Sequence, residues 1–561
     1  MKEEKYFVEL IRFVKKEKPT KKQINNKKIE LCSKYKIKKI PTNIEVLCNC
    51  KQKDMDFLKK YLQTKPTRTI SGVAVLAVMT RPYPCPHGKC TYCPGGVDSE
   101  FGNVPQSYTG REPSTMRGMR NNYDAYRIIF NRLEQYIVLG QNPEKAEVII
   151  MGGTFPSFPK DYQEETVTNI FKALNDFSKN FYKGSELNLK KFREFFELPG
   201  TVNDKNREER IMTRVLKLKI ENKKSLKKEQ EINEKAQVRC VGLTVETRPD
   251  YGLLEHGNEL LEFGCTRIEL GIQTTDDAIL KRINRGYDEK TAIKSIKTLK
   301  DLGFKLNFHM MPGLPGSSNK KDVNIMKELF KNPDYQPDML KIYPTMVLKG
   351  TKLYDEFKDK KYTPITTDEA AEIITKSKKY IPKYCRVMRV QRDIPTKMTI
   401  AGVDRTNLRQ YIDKKLLENK QKCFCIRCRE IKDREIKGKM KFEIIKYKAS
   451  QGKEYFISLV DEKDYLLGFC RLRLPNQSLR PEITLKTGII RELHIYGAAT
   501  GLGKSGDVQH KGFGAKLLSK AEEIARKEKR EKIVIISGVG VRSYYQKFGY
   551  KKEGPYMVKL L

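Results

Sequence analysis

Residues 72–80 read GVAVLAVMT and residues 85–93 read CPHGKCTYC. A short apolar run rich in Val, followed by a segment broken by Pro86, Gly88 and Pro94, is the order of a buried strand and then a loop. That loop carries three thiols within nine positions, Cys85, Cys90 and Cys93, which packing alone rarely requires. Such spacing describes a chain wrapped around an inorganic centre. A structural zinc takes four protein ligands, whereas three thiolates suit a 4Fe-4S cluster with one iron left open. Zinc with His87 as a further ligand, and three unliganded thiols, are the alternatives.

The strand-then-loop pattern repeats downstream, in AEVIIMGGTF at 146–155, RCVGLTVETRPD at 239–250, TRIELGIQT at 266–274, FKLNFHMMPGLPG at 304–316 and DMLKIYPT at 338–345. Short apolar runs separated by helical stretches are the signature of a parallel sheet with crossover helices. Residues 70–400 therefore read as a partial or complete β/α barrel, with chemistry at the C-terminal strand ends. A charged tract at about 182–237 interrupts this order and reads as a solvated helical insertion or mobile excursion. Residues 1–69 form a basic, mostly helical segment suited to a nucleic-acid arm.

Residues 401–438 make a linker with a second thiol group, Cys423, Cys425 and Cys428, in KCFCIRCRE. Its spacing fits a structural zinc clip whose fourth ligand is open; unliganded surface thiols are the alternative. From 439 to 561 the runs KFEIIKYKA, EYFISLVD, YLLGFCRLRL and GIIRELHIYG precede one helix, a strand and a shorter helix, which makes a separate α+β domain. Here Gln509, Gly512, Phe513 and Gly514 lie at a strand-to-helix junction, where free backbone N–H groups and the helix field favour a pyrophosphate. Tyr544 and Tyr545 follow at a spacing suited to an acetyl-coenzyme A fold.

With 111 Lys and Arg against 70 Asp and Glu, the 561-residue chain carries a net charge of +41. That excess points to a polyanionic partner, nucleic acid first, against a background of general lysine richness. No apolar stretch reaches the roughly 18 residues of a membrane helix, and the N-terminal stretch is too charged for a secretory signal. Thirteen cysteines, six of them in the two clusters, fit a reducing, cytoplasmic setting.

Taken together, the strings CPHGKCTYCPGG, QSYTGREPSTMRGMRNNYD, MGGTF, GLTVETRPDY, LGIQT, MPGLPG, KIYPT, RVQRDIP, RELHIYG, SGVGVRSYY and GPYMVK resemble the catalytic subunit of Elongator in its archaeal single-chain form. In that family a radical S-adenosylmethionine barrel precedes a GNAT acetyltransferase domain. The resemblance implies a 4Fe-4S cluster on Cys85, Cys90 and Cys93, with S-adenosylmethionine near Gly152, Gly153 and Thr154. It implies an acetyl-coenzyme A site at Lys145, Glu492, Leu493, His494, Ile495, Phe513, Gly514, Ala515 and Tyr545, and zinc on the Cys423 group in some members.

Tyr544 and Tyr545 would then orient the acetyl carbonyl or a water, with His494 a candidate base. The activity implied is formation of 5-carboxymethyluridine at the tRNA wobble position, both domains sharing one cleft. Protein lysine acetylation is the rival, and a non-enzymatic tRNA scaffold a second. The oligomeric state is open, a homodimer included. Two departures stand out: Tyr287 occupies a position where the family usually has His, and the 182–237 tract is longer than in eukaryotic relatives.

Overall fold

The computed structural model describes residues 2–64, 72–200, 204–432, 434–497 and 512–561, in two compact units. The first unit comprises Met1–Leu76, Ala125–Glu147 and Thr166–Cys240. Its opening helices, Lys2–Glu17, Lys21–Tyr35, Asn43–Cys48 and Met55–Leu62, bury one stripe each and leave most of their lysines outward, Lys28 being buried against the Pro41 carbonyl. Tyr6, Leu10 and Val14, four residues apart, are fully buried. Thr20 with Gln23, and Thr42 with Glu45, close reciprocal caps that start the second and third helices.

The tract at 182–237 is not a loose excursion. It folds as a short hairpin, Tyr182–Lys183 with Glu186–Leu187, and three helices, Leu189–Phe196, Lys205–Ile220 and Leu226–Asn233. Phe192, Phe195 and Phe196 pack edge-on and tilted against Phe177 and Phe181 of the preceding helix, burying the apolar face that the surrounding charges conceal in sequence. Gln52 clamps the tract from both sides, donating to the Leu187 carbonyl at 2.7 Å and accepting from Leu189 N–H at 3.0 Å. Only the helix Lys205–Ile220, with Val215 its one buried residue, behaves as a solvated rod.

Seven strands form an open sheet in chain order: β1 (Val73–Met79), β2 (Lys145–Met151), β3 (Arg239–Thr247), β4 (Cys265–Gln273), β5 (Lys305–Met310), β6 (Met339–Ile342) and β7 (Arg386–Arg389). From β3 onward neighbours pair parallel. The barrel is thus partial, a half-barrel. Polar residues recur at every second position on its strands: Arg267 and Glu269 on β4, Lys305, Asn307 and His309 on β5. Cross-strand register aligns Glu246 with Glu269, Glu269 with Asn307, and His309 with Lys341. One face of the sheet therefore carries a charged ladder where a buried parallel sheet would ordinarily be aliphatic.

The second unit also holds the C-terminal domain. Its sheet runs β8 (Lys441–Ala449), β9 (Gly452–Val460), β10 (Leu466–Leu474), β11 (Thr487–Ile495), β12 (Lys532–Ile535), β14 (Tyr556–Leu560), β13 (Lys551–Glu553). All pairs are antiparallel except β11 with β12. The helix Phe513–Lys527 buries Leu517, Leu518, Ala521 and Ala525.

Where this domain meets the half-barrel, its buried contacts gather just before strands begin or at their first residues, with further contacts from Arg480 to Asn258 and from Lys297 to Gln451 on the flanking helices. Arg491 donates to the Phe304 carbonyl at 2.8 Å, Arg471 to the Tyr384 carbonyl at 2.6 Å, and Tyr556 to the Leu302 carbonyl at 2.8 Å. Arg473 pairs with Asp301 at 2.6 Å, and Gly538 lies against the backbone of Val241. The α+β domain thus caps the N-terminal mouth of the half-barrel.

Candidate active site

At the other mouth, the loop after β1 presents the three thiols. Cys90 and Cys93 are buried and Cys85 is half-buried. Turns close through Gly88 N–H to the Cys85 carbonyl and Cys93 N–H to the Cys90 carbonyl, both at 3.0 Å. Each sulfur faces polar groups from other elements. Gln106 donates to Cys93 Sγ at 3.1 Å, Arg285 donates to Cys90 Sγ at 3.4 Å, and Thr154 Oγ1 lies 3.8 Å from Cys85 Sγ. His87 Nε2 lies 3.3 Å from Cys90 Sγ.

Burial pushes the Cys85 thiol up to about 11, and raises Cys93 as well. These thiols hold their protons until a cation displaces them, while the donors around them suit sulfurs that carry negative charge. The residues present therefore fit an iron-sulfur cluster. Beside them, Gly152 and Gly153 take φ of 125° and 116°, and a Cβ on Gly152 would lie 2.2 Å from Thr80 Oγ1. Only glycine allows that backbone to pass so close.

Below the thiol loop lies the ladder that sequence reading passed over. The Glu246, Glu269 and His309 ligand atoms all fall within 4.8 Å of one another, the spacing of a metal cage. The cation is already supplied by the protein, because Lys341 pairs with Glu269 and stands 3.8 Å from Glu246. Burial would raise the Glu269 carboxyl, yet Lys341, His309 and Arg267 hold it well below the usual range. Tyr108 donates to Glu246 at 3.1 Å, linking the ladder to the segment that follows the thiols. A period-two run of polar residues in strands expected to be buried was the available signal.

In the C-terminal domain, β11 and β12 pair only from Thr487–Lys532 to Ile490–Ile535. Beyond that, Glu492, Leu493, His494 and Ile495 stay on β10 alone, opposite Arg471, Cys470, Phe469 and Gly468, so the two strands splay. The splay separates this stretch from β12 beyond Ile490, and an extended acyl arm can use the edge of a splayed strand. The helix beginning at Phe513 has no side-chain cap, and Gly512 precedes it at φ 75°. A Cβ on Gly514 would lie 2.4 Å from the Tyr544 hydroxyl and 4.0 Å from Ile495 Cγ1. Residues nominated from three separate motifs thus meet at one point.

Tyr545 is buried, its ring 5.3 Å from that of Tyr544. Burial raises both phenols above their ordinary value, so they act as neutral hydrogen-bond donors and not as bases. His494 packs between Phe469 and Tyr496, 6.0 and 4.3 Å from their ring centres. Glu492 would be raised by burial, but Lys305, Arg471 and His494 hold it low as a carboxylate. Ala515 follows in the first helical turn, and Gln509 lies outside the described residues. Lys145 opens β2, at the strand end away from the Gly152–Thr154 turn, and burial keeps its ammonium below the usual lysine range.

The Cys423, Cys425 and Cys428 sulfurs gather within 4.8 Å, with Cys425 and Cys428 3.6 Å apart. Hydrogen bonds from its neighbours hold Cys425 well below the usual thiol range, while Cys423 is raised by the same sharing. One thiolate among thiols suits a soft cation. No fourth His, Cys, Asp or Glu ligand joins the group among the described residues.

A half-barrel with three thiols at its C-terminal mouth, joined to a splayed-strand acyl-binding fold, defines a radical S-adenosylmethionine enzyme fused to a GNAT acetyltransferase domain. Four family profiles match in this order: the ELP3 N-terminal domain over 8–70, the Radical SAM superfamily over 82–329, the Radical_SAM C-terminal domain over 337–418 and the Acetyltransferase (GNAT) family over 422–550. The chain is 42% identical over 533 residues to a tRNA uridine(34) acetyltransferase of Methanocaldococcus infernus, covering 93% of this chain and 92% of that one. It is 37% identical over 543 residues to Elongator complex protein 3 of Saccharomyces cerevisiae, covering 94% and 90%. The archaeal Elp3 structure from Methanocaldococcus infernus, with an N-terminal deletion (1–46), superposes with a TM-score of 0.71 at 36% identity, covering 88% of this chain and all of that one. The protein belongs to the Elongator complex protein 3 family.

Proposed function

We propose that this protein modifies the wobble uridine of tRNA to 5-carboxymethyluridine, taking the two carbons from acetyl-coenzyme A. The observation that carries this reading is the presence, in one compact unit, of a thiol loop fit for an iron-sulfur cluster and an acyl-binding splay at Ile495, Gly514 and Tyr544. When bound, the cluster and S-adenosylmethionine supply one-electron chemistry that removes hydrogen from an unactivated carbon. Gly152, Gly153 and Thr154 would hold the sulfonium ligand beside the thiols. Tyr544 and Tyr545, as neutral phenols, would orient the thioester carbonyl while water adds to its carbon and coenzyme A leaves as the thiol. The net charge of +41 draws the tRNA in.

Geometry adds a requirement that the sequence did not suggest. In place of one shared cleft, the thiols stand at the C-terminal mouth and the acyl domain caps the N-terminal mouth. The acetyl group would reach the radical source along the polar ladder inside the half-barrel, past Asn307, Glu269 and Lys341. Asn307 is fully buried, and its Oδ1 makes no hydrogen bond, so it offers an acceptor along that path.

We assign zinc to the Cys423 group as a structural ion, and place the reaction in the cytoplasm, where all these cysteines stay reduced; no helix among the described residues is long and apolar enough to cross a membrane. Anaerobic reaction of reconstituted enzyme with tRNA and acetyl-coenzyme A labelled in its methyl carbon tests the proposal. Label in a carboxymethylated uridine, lost in Cys90→Ala, is expected. Acetylated lysine persisting in Cys90→Ala, with no modified uridine from wild type, would establish the lysine acetyltransferase instead.

A further inference from the structure

The surroundings of Tyr287 give it a task. Its hydroxyl, at the C-terminal end of β4, turns its proton toward the Gly271 and Ile272 carbonyls, 2.7 and 2.9 Å away. The same oxygen accepts Arg285 Nε–H at 3.3 Å. A second Arg285 nitrogen donates to the Gly271 carbonyl at 2.5 Å, which leaves Nη1 aimed at Cys90 Sγ, 3.4 Å away. Arg285 is 7% exposed, and its guanidinium lies 5.3 Å from the centre of the Tyr287 ring. Even the backbone is shaped to it, for a Cβ on Gly271 would fall 2.4 Å from Arg285 Nη2. A planar fork held at two corners has little freedom left, and its third nitrogen points at one sulfur.

We propose that Tyr287 is a positioning residue for the iron-sulfur centre: by fixing Arg285 against Cys90 it raises the reduction potential of the cluster. Reduction adds negative charge to the cluster and its sulfurs. A fixed cation and an N–H···S hydrogen bond stabilise that added charge more than they stabilise the oxidised form. Phenylalanine at 287 would keep the ring and lose the anchor, freeing the guanidinium to swing from the sulfur. Histidine can accept from Arg285 Nε with one nitrogen and donate to one carbonyl with the other, so it replaces most of the anchor.

The inference rests on the cluster reading of Cys85, Cys90 and Cys93, and iron content separates the two. Full-length protein is reconstituted anaerobically and assayed for iron and sulfide, and the cluster is titrated by electron paramagnetic resonance without S-adenosylmethionine. Tyr287→Phe is expected to retain iron and to show, at fixed potential, a reduced-to-oxidised ratio about tenfold lower, equivalent to about 59 mV for one electron. Tyr287→His is expected to recover at least half of that shift. A Tyr287→Phe ratio within about twofold of wild type overturns the proposal. Should Tyr287→Phe lose iron, Arg285→Lys decides: a potential equal to wild type overturns the proposal, and a fall supports it. Wild type that binds no iron removes the cluster reading itself.

Discussion

Arg491 lays two guanidinium nitrogens against the two carboxylate oxygens of Asp338, each at 2.7 Å, with both side chains fully buried. The pair joins the first residues of the α+β seam to the start of β6. Asp338 also accepts Leu306 N–H at 2.9 Å, and Glu454 stands 3.0 Å from the other side of Arg491. Burial would raise the Asp338 carboxyl, yet Arg491, Lys300 and Arg471 hold it far below its ordinary value. The contact is one of charges sealed from water and compensated only by each other.

Removing one member strands the rest. Asp338→Asn keeps the shape and deletes the charge, so it should cost about 3 to 5 kcal/mol in denaturant unfolding. Arg491→Met with Asp338→Leu should cost less than the sum of the single changes, because the two opposed charges leave together. A loss below about 1 kcal/mol for Asp338→Asn would mean that water already reaches the seam.

Gly514→Ala places a methyl where the Tyr544 hydroxyl now lies, 2.4 Å from its oxygen. The phenol must move away from the helix N-terminus, and the convergence with Ile495 opens. Calorimetric titration should show acetyl-coenzyme A binding about tenfold weaker, roughly 1.4 kcal/mol. Adding Tyr544→Phe removes the clashing oxygen and should recover most of the affinity. No change in either variant would move the acyl site elsewhere.

Asp322 offers a pH test. Burial pushes its carboxyl up to about 6, although Ser317 Oγ–H at 2.6 Å and Gly313 N–H at 2.7 Å donate to it and pull the other way. Between pH 4 and 6 the folded chain therefore binds a proton that the unfolded chain has lost. This contribution is fully present below the unfolded value near 4 and disappears as pH rises through 6, at most about 2 to 3 kcal/mol. Asp322→Asn should flatten that part of a stability-against-pH curve measured by chemical denaturation. An unchanged slope would assign the proton to another group.

The thiol loop and the strands of both domains were legible because each is local, set by spacing within about ten residues, whereas Gly152, Gly153 and Thr154 came only through the family resemblance. Charges hid the rest. The tract at 182–237 reads as solvated, since Phe192, Phe195 and Phe196 are embedded among lysines and only Phe177 and Phe181 give them a core. The burial of Arg471 and Arg473 was not legible either, because their partners Asp338 and Asp301 lie over a hundred positions away. The single cleft implied by the family resemblance could not be checked against the sequence for the same reason. Which mouth of the sheet a distant domain covers is a matter of tertiary contact, not of motif.

The half-barrel has an acyl-carrying cap on one rim and a sulfur-rich loop on the other. On the proposed function, acetyl-coenzyme A would enter at the capped rim and the nucleic acid at the sulfur-rich one, so the two need not queue for the same doorway. Saturating the enzyme with coenzyme should leave the nucleic acid free to load, and the order of loading becomes a choice of the cell's concentrations and not of the architecture.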